Sequence, residues 1–305
     1  MGANTHQNLL IGITGGTGFV GRHVIQAALA HGHRVRVLAR SPKKLSDIKH
    51  DNLDVLTGQL GVGNAALCEG CDAVLHIAGL IKARTRREFD AVNVDAAGEM
   101  ASAAKTAGVK RFVLLSSMAA RKPELSDYAG SKYGGEMAVK AAYDGRLAII
   151  RAPAVFGPGD EATAPFIDLI KRGLLPTPGG AGWKTRKLSI VAVEDLAADI
   201  VMACADGRYD GRIVSPSSIP SLTWPDFADM ASKAAGRKVR IVPLPRAVLY
   251  PVAGVTSATS RLFGMGHLTL GKLREFLYDD WSSEDVIAEA LPMRERLAET
   301  IKCHG

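Results

Sequence analysis

The sequence predicts an α/β fold, a doubly wound parallel sheet with a smaller, mainly helical C-terminal cap. Apolar runs of strand length alternate with longer amphipathic stretches through the first half of the chain. Continuous runs of Val, Ile and Leu, each followed by a helical stretch, are typical of a parallel sheet buried on both faces. After Arg151 this alternation gives way to loops rich in Pro and Gly, and the chain beyond Pro216 looks almost wholly helical.

Six apolar runs define the predicted strands, and helical patterns fill the intervals as crossover connections require. The runs span residues 9–14, 34–39, 53–57, 72–78, 111–117 and 147–152. We predict a sheet domain made of residues 1–157 with 188–214. The cap is predicted to comprise residues 158–187 with 215–305.

Composition narrows the class of protein. With 47% hydrophobic and 23% charged residues, the 305-residue chain is ordinary for a soluble globular enzyme. No segment is long and apolar enough to span a bilayer, and the polar start lacks the apolar core of a signal peptide, so we expect a cytoplasmic location. The four cysteines are too few and too scattered for a disulfide framework, and no metal site is expected. Cys68 and Cys71 form a CxxC that we interpret as packing.

The net charge of +7 includes two basic runs, residues 82–87 and 184–187. Such runs have the charge needed to bind phosphates. The excess is mild, however, and no nucleic-acid motif or set of interleaved aromatic residues accompanies it. We therefore expect no nucleic-acid partner and interpret the runs as solvated loops, some of them facing an anionic cofactor or substrate.

A glycine-rich turn follows the first predicted strand. Gly15, Gly18 and Gly21 have GxxGxxG spacing and lead into an amphipathic helix. Glycine allows a sharp turn and a close approach of the backbone to a pyrophosphate, which the amides of the helix N-terminus favour. Because the triplet lies directly between a strand and a helix, it predicts a dinucleotide site.

The end of the second strand predicts which nucleotide binds. Sites of this kind select NAD with an acidic residue there, or NADP with an arginine that meets the 2′-phosphate. Ala39 stands at the acidic position and Arg40 follows it. Since a guanidinium binds phosphate in bidentate fashion, we predict NADP over NAD. The alternative is that Arg40, Lys43 and Lys44 form a solvent-facing basic turn.

Seven motifs, in order along the chain, resemble those of the extended short-chain dehydrogenase/reductase superfamily. They are TGGTGFVG (14–21), HIAG (76–79), NVDAAG (93–98), LLSS (114–117), YAGSK (128–132), RAPAVFGPGD (151–160) and VEDLAADIV (193–201). The resemblance covers most of the chain and is to the branch of NAD(P)-dependent epimerases, dehydratases and dihydroflavonol-type reductases. It implies a Rossmann dinucleotide-binding domain and a substrate-binding cap.

The resemblance also implies roles for individual residues. Tyr128 would be the general acid/base, Lys132 its partner and a ribose ligand, and Ser117 the hydrogen-bond donor to the reacting oxygen. Ser116 is the alternative serine. The other implied cofactor contacts lie in the glycine-rich turn, at the strand ends and beside the nicotinamide: Gly15, Thr17, Gly18, Phe19, Val20, Ala78, Gly79, Asn93, Ala154 and Val155.

Helical geometry separates Tyr128 from a second tyrosine nearby. Residues four apart on a helix differ by about 40°, so Tyr128 and Lys132 share a face, whereas Tyr133 is rotated by roughly 100° from Lys132. The Lys132 ammonium, together with the positive ring of an oxidised nicotinamide, is expected to stabilise phenolate and lower the tyrosine pKa from about 10. We interpret Tyr133 as a packing or substrate-side residue, and the glycines around it as a close contact with a neighbouring element.

Two departures from the family pattern bear on the reaction. Gln59 replaces the usual acid after the third strand, and its amide is able to bond the adenine. The loop between Ser117 and Tyr128 is shorter than in members that act on nucleotide sugars, which favours a reductase.

The sequence therefore predicts an NAD(P)-dependent oxidoreductase, with NADPH favoured, that transfers hydride between the nicotinamide and a carbonyl or alcohol of a small, partly apolar metabolite. One alternative is a nucleotide-sugar epimerase or dehydratase, in which residues 183–187 would hold a diphosphate. Another is a non-catalytic NADPH-binding accessory protein. The apolar stretch 244–265 would form a substrate wall or the cap's own core. A homodimer is expected by analogy with the family.

Overall fold

The computed structural model describes residues 8–161, 163–263, 269–288 and 290–303. The ends of the two predicted domains, at residues 1–7 and 304–305, lie outside this part. Its strands are β1 (Leu10–Thr14), β2 (Arg34–Ala39), β3 (Leu53–Thr57), β4 (Ala73–His76), β5 (Arg111–Ser117), β6 (Arg146–Ala152), β7 (Ala154–Phe156), β8 (Leu174–Pro178), β9 (Lys187–Ala192), β10 (Ile213–Val214), β11 (Ile219–Thr223), β12 (Arg240–Leu244) and β13 (Asp280–Trp281).

The helices are distributed between the strands in the first half and concentrate toward the C-terminus. They are α1 (Phe19–Ala30), α2 (Asn64–Cys68), α3 (Arg86–Asp90), α4 (Ala96–Thr106), α5 (Asp127–Ala142), α6 (Ala164–Lys171), α7 (Val193–Asp206), α8 (Trp224–Ala235), α9 (Arg246–Phe263), α10 (Leu270–Leu277) and α11 (Met293–Cys303). None of the helices described is long and apolar enough to cross a membrane.

The main sheet has seven strands in the order β10-β6-β5-β4-β1-β2-β3, and every neighbouring pair is parallel. All six predicted strands are found, with ends displaced by no more than one or two residues. The strand order reverses between β1 and β4. In open α/β sheets, ligands bind outside the carboxyl ends of the strands at such a reversal. The fold therefore places a crevice next to the glycine-rich turn.

Both faces of this sheet are covered. Ile11 and Ile13 of β1 pack into one apolar core, which also contains side chains from α1 and α7. Leu10, on the opposite face, packs into a second core with side chains from α4 and α5. Successive side chains of a strand point to opposite faces, so this alternation is what a doubly wound sheet requires.

The CxxC belongs to the second core. Cys68 and Cys71 are both buried, and the Cys71 thiol donates a hydrogen bond to the Leu67 carbonyl at 3.0 Å. Burial raises the pKa of Cys68 to about 12 and that of Cys71 to about 11. A thiol that stays protonated is a poor nucleophile and a poor metal ligand, so the packing interpretation is confirmed.

A third apolar core and a second sheet draw on segments of both predicted domains, since β7 and β9 pair there with β11 and β13. Beyond Pro216 the chain is mainly helical, but it also contributes β11, β12 and β13, so the impression of an almost wholly helical segment is wrong in detail. In the second sheet β9 pairs with β7, β11 and β13, while β12 pairs with β8. These strands pair with distant parts of the chain, which local sequence patterns do not reveal.

Candidate active site

The glycine-rich turn lies at the carboxyl end of β1 against the loop that follows β4. Gly15 has a φ of +74°, and a Cβ on it would be 2.6 Å from the Ala78 amide nitrogen. A Cβ on Gly21 would be 2.2 Å from the Gly15 carbonyl oxygen, which explains the third glycine. No side chain caps α1 at the exposed Gly18, so its first-turn amides are not taken by a protein acceptor. This turn fits a dinucleotide pyrophosphate. Thr17, Phe19 and Val20 belong to it and are partly exposed.

Asn93 supports the loop after β4 from below. Its Oδ1 accepts a hydrogen bond from the Leu80 amide at 2.8 Å, and its Nδ2 donates to the Leu80 carbonyl at 3.0 Å and to the Ser131 hydroxyl at 2.8 Å. The side chain is buried and its amide is used by protein groups. Asn93 therefore lies near the strand ends, as predicted, but it fixes the loop and α5 rather than presenting its amide to the crevice.

The same loop is tied to β1 through a buried histidine. Thr14 Oγ1 accepts a hydrogen bond from the Ala78 amide at 3.3 Å and is hydrogen-bonded to His76 Nδ1 at 2.9 Å. Burial, together with the charge of Lys132, lowers the pKa of His76 to about 3. His76 is therefore neutral at physiological pH. Gly79, exposed, comes next in the loop, where a Cβ would be 3.6 Å from Lys132 Nζ.

Two predicted cofactor residues lie on the other side of β1. Arg40 follows the end of β2, and Gln59 follows the end of β3, the neighbouring strand. Both side chains are exposed, and Arg40 makes no hydrogen bond or ion pair with the rest of the described chain. Arg22, by contrast, is paired with Asp47. Arg40 is thus the guanidinium at this edge that a ligand could engage.

Tyr128, Lys132 and Ser117 come together at the carboxyl end of β5. Ser126 caps α5 by accepting a hydrogen bond from the Ala129 amide at 2.9 Å, which starts the helix just before Tyr128. Ser117, whose hydroxyl accepts a hydrogen bond from the Ala119 amide at 3.2 Å, lies close enough to Tyr128 to lower the pKa of its phenol. Lys132, one turn further along, donates from Nζ to the Leu115 carbonyl at 2.8 Å.

The protonation states of this group follow from its burial. Burial raises the pKa of Tyr128 to about 12, against the lowering effect of Ser117, and the Glu275 carboxylate raises it further. The lowering expected from Lys132 together with an oxidised nicotinamide stays a prediction for the cofactor complex. Burial lowers the pKa of Lys132 to about 8, against the opposing effect of Glu136. At neutral pH the Tyr128 phenol is neutral and the Lys132 ammonium, one helical turn further along, is charged. A neutral phenol is able to deliver a proton.

A buried ion pair that the sequence reading missed lies beneath these residues. Glu136 is 0% exposed, and its carboxylate accepts hydrogen bonds from Arg151 Nε at 2.9 Å and Nη2 at 2.6 Å. Ser116 donates its hydroxyl to the same carboxylate at 2.5 Å. Of the two serines, Ser117 therefore faces Tyr128, and Ser116 is a buried partner of Glu136. The available signal was spacing, since Tyr128, Lys132 and Glu136 succeed one another at intervals of four on one helix face.

Tyr133 has a different environment from the one expected. Tyr133 is 40% exposed, which contradicts a packing role, and the alternative of a substrate-side residue stays a prediction. The expected close helix contact is present, however, and it involves the neighbouring glycines. A Cβ on Gly135 would be 2.0 Å from the Asn93 carbonyl oxygen, and one on Gly134 would be 3.0 Å from a Val94 methyl.

A cavity of about 840 Å³ opens beside Tyr128. The loop after β4, the start of α5 and the cap helices α9 and α10 form its walls. Polar residues of the wall include Lys82, Ser126, Lys272 and Glu275. Its size is within the range of small-molecule and cofactor sites. The cavity is thus placed to bring a substrate to the Tyr128 hydroxyl.

Within the described part, the apolar stretch 244–265 contributes to a small core, and its role as a substrate wall stays a prediction. Leu249 and Ala253 pack with Leu273 as a small core of the cap. Gly254 and Ser257 line the cavity. The side chains of residues 258–265 lie outside the described part of the structure.

The segment after β6 completes the crevice. Ala154 is exposed and Val155 partly so, in the short strand β7. The basic run 183–187 does not offer its central charge to a ligand. Arg186 is 3% exposed and donates to the Pro178 carbonyl at 2.8 Å, to those of Gly179 and Ala181, and to Asp279. Within the described residues, no group of acidic, His and Cys side chains is arranged to hold a metal ion.

Comparison with known proteins agrees with this geometry. A protein-family model described as NAD(P)H-binding matches residues 15–148. A ceramide reductase from Caulobacter vibrioides is 38% identical over 290 residues, which cover 93% of this chain and 90% of that protein.

Solved structures share the fold at low sequence identity. The UDP-glucuronic acid 4-epimerase from Bacillus cereus, in complex with UDP-glucuronic acid and NAD, has a TM-score of 0.70 at 16% identity, covering 97% of this chain and 99% of that one. A human epimerase family protein with NADPH has a TM-score of 0.70 at 19% identity, covering 96% and 99%.

These likenesses differ in what they establish. The two solved structures support the architecture, while the ceramide reductase is similar in sequence along nearly its whole length. The glycine-rich motif and the HIAG motif lie at the strand ends on either side of the reversal in strand order. The chain belongs to the extended short-chain dehydrogenase/reductase superfamily and is an NAD(P)-dependent oxidoreductase or epimerase/dehydratase of that type.

Proposed function

We propose that this protein is an NADPH-dependent carbonyl reductase whose substrate is the ketone form of a ceramide-class lipid. The observation that carries the proposal is the neutral Tyr128 phenol, near Ser117, at the wall of a cavity of about 840 Å³. The lipid class is supported by the 38% identity to a ceramide reductase over 93% of the chain.

In the proposed reaction two side chains act on the carbonyl oxygen and a third acts on the phenolate that is left. Bound NADPH supplies the hydride that reaches the carbonyl carbon. Tyr128 donates its proton to the carbonyl oxygen, so the ketone becomes a secondary alcohol. Ser117 donates a hydrogen bond to that oxygen as negative charge develops on it. Lys132, protonated below pH of about 8, stabilises the phenolate that Tyr128 leaves behind.

The preference for NADPH rests on Arg40. Its exposed guanidinium follows β2 and has no partner among the described residues, so binding a 2′-phosphate would cost no existing ion pair. Val20, Gly18 and the rest of the glycine-rich turn would hold the pyrophosphate, and Gln59 the adenine. Ala154 and Val155 would face the nicotinamide.

The buried Arg186 argues against the nucleotide-sugar alternative. That reading needs the basic run 183–187 to hold a diphosphate, but the Arg186 guanidinium is satisfied by three carbonyl groups and Asp279. Freeing it would leave buried acceptors without their donor.

NADPH oxidation tests the proposal. Purified protein is given NADPH and either a short-chain ceramide-type ketone or a UDP-sugar. We expect NADPH consumption with the ketone alone. In Tyr128→Phe the rate should fall by about 10² to 10⁴ while NADPH affinity is retained. The matched control is Tyr133→Phe, a neighbouring tyrosine that is exposed and should turn over normally. A Tyr128→Phe variant with the wild-type rate would refute the assignment.

Nucleotide choice has a separate test. Titrations with NADPH and NADH should show tighter binding of NADPH, and Arg40→Ala should weaken NADPH binding without changing NADH binding. Lys43→Ala, in the next turn, serves as the control. Equal or tighter binding of NADH by the wild type would contradict the preference.

A homodimer and a cytoplasmic location stay predictions of the sequence. Light scattering on the purified protein measures the first, and fractionation of cells measures the second.

A further inference from the structure

The cap helix α10 brings two charged side chains into the cavity beside Tyr128. Lys272 and Glu275 are three residues apart, so they share a face of the helix, and both line the cavity. The helix is held in place by Leu273, which is buried against Leu249. Near its C-terminal end, Trp281 Nε1 donates to the Glu275 carbonyl at 2.8 Å. The two charges are therefore presented by a fixed element.

Glu275 is connected directly to the helix that carries Tyr128. Ser126, the N-terminal cap of α5, donates its hydroxyl to Glu275 Oε1. The approach is close because residue 271 is glycine, and a Cβ there would be 2.7 Å from Ser126 Cβ. The Glu275 charge also reaches Tyr128, whose pKa it raises. One end of the substrate cavity is thus a carboxylate adjacent to the reacting position.

These charges are only partly satisfied by the protein. Both side chains are half-buried, and burial shifts the pKa of Glu275 upward and that of Lys272 downward. Glu275 Oε2 accepts no hydrogen bond from any described residue, and the Lys272 ammonium donates none. Partly desolvated charges of this kind favour a ligand that supplies hydrogen bonds. A ligand that donates a hydrogen bond to the Glu275 carboxylate and accepts one from the Lys272 ammonium would satisfy both groups.

We propose that Glu275 and Lys272 form a subsite that binds a neutral polar group on the carbon next to the reacting carbonyl, with Glu275 accepting from its hydroxyl or amide N–H and Lys272 donating to its oxygen. The inference rests on the proposed function and deepens it. In a ceramide-class ketone, the amide and the hydroxymethyl group lie beside the carbonyl. Binding them here orients the carbonyl toward Tyr128.

Binding measurements test the subsite without depending on turnover. The probes are a short-chain ceramide and a secondary alcohol of matched chain length that lacks the amide and hydroxymethyl groups. In isothermal calorimetry, the wild-type protein should bind the ceramide more tightly than it binds the secondary alcohol. Glu275→Gln and Lys272→Met should each weaken ceramide binding by about 10- to 100-fold and leave binding of the plain alcohol unchanged. The control is Phe276→Ser, on the same helix, 42% exposed and absent from the cavity wall.

Turnover measured in parallel tests the reductase function separately from the subsite. With the ketone substrate, both variants should raise KM by a similar factor, and Glu275→Gln should also change kcat, because the Glu275 carboxylate raises the pKa of Tyr128. Equal binding of both probes by the wild type, or a preference for the ceramide that survives in both variants, would overturn the subsite. Selective ceramide binding without any NADPH-dependent reduction would support the subsite and refute the reductase function.

Discussion

The buried pair of Glu136 and Arg151 gives a stability prediction with a definite size. Arg151→Met removes a guanidinium that donates two hydrogen bonds, at 2.9 and 2.6 Å, to a carboxylate with no exposed surface. The remaining Ser116 hydroxyl cannot neutralise that charge. Leaving one partner of a buried ion pair uncompensated costs about 3 to 5 kcal/mol.

A second substitution distinguishes the loss of the Glu136–Arg151 attraction from the cost of a buried Glu136 carboxylate without a partner. Glu136→Gln added to Arg151→Met removes the buried charge but keeps an acceptor for Ser116. Replacing both members of a buried pair by neutral groups is often close to neutral in stability, so the double variant should regain most of the loss. The control is Arg146→Met, on the same strand but with a side chain 68% exposed, whose loss should be at most about 1 kcal/mol.

Equilibrium urea unfolding followed by circular dichroism measures these differences. With an m-value of about 3 kcal/mol/M, the Arg151→Met midpoint should fall by roughly 1 to 1.7 M. An unfolding free energy of Arg151→Met within about 1 kcal/mol of the wild-type value would refute the predicted cost of the buried charge. A double variant less stable than the single one would refute it as well.

Three further predictions concern residues around the site. Because the pKa of Lys132 is about 8, kcat/KM for reduction should fall above that pH. Lys132→Arg stays charged, so its pH profile should lack this fall. A fall at the same pH in both proteins would contradict the stabilisation of phenolate by Lys132. Gly135→Ala should lower the thermal midpoint, because its Cβ would be 2.0 Å from the Asn93 carbonyl oxygen, whereas Gly254→Ala, with nothing within 4 Å, should not. The pKa of His76 is about 3, below its unfolded value near 6.5. The stability that comes from keeping His76 neutral is therefore fully present above a pH of about 6.5 and is lost as the pH falls toward 3. Urea midpoints at pH 7 and 4.5 should differ less in His76→Leu than in wild type, and an equal difference would count against the buried neutral histidine.

The parallel sheet was predictable from the sequence because its signals are local. Each strand is a run of β-branched and aliphatic residues, and the glycine triplet sits next to the first of them. The spacing of Tyr128 and Lys132 is likewise a property of one helix. Such features need no knowledge of what the helix packs against.

The rest of the site depends on contacts between distant segments. Arg151 meets Glu136 only because β6 lies beside β5 under α5, and Glu275 meets Ser126 only because the cap closes over the start of α5. Arg186 looked available in a basic run, yet it is buried by carbonyl groups of its own loop and by Asp279. Patterns along the chain do not encode which of several charges becomes buried.

Hydride transfer from labelled cofactor tests the central claim most directly. NADPH carrying deuterium at the transferable position of C4 is incubated with the wild-type protein and a ceramide-type ketone, and the lipid is analysed by mass spectrometry. We expect one deuterium on the new carbinol carbon for each NADPH consumed. In Tyr128→Phe the rate of label transfer should be lower than in the wild type by about 10² to 10⁴. A lipid product without deuterium, or label transfer that proceeds equally well in Tyr128→Phe, would contradict it.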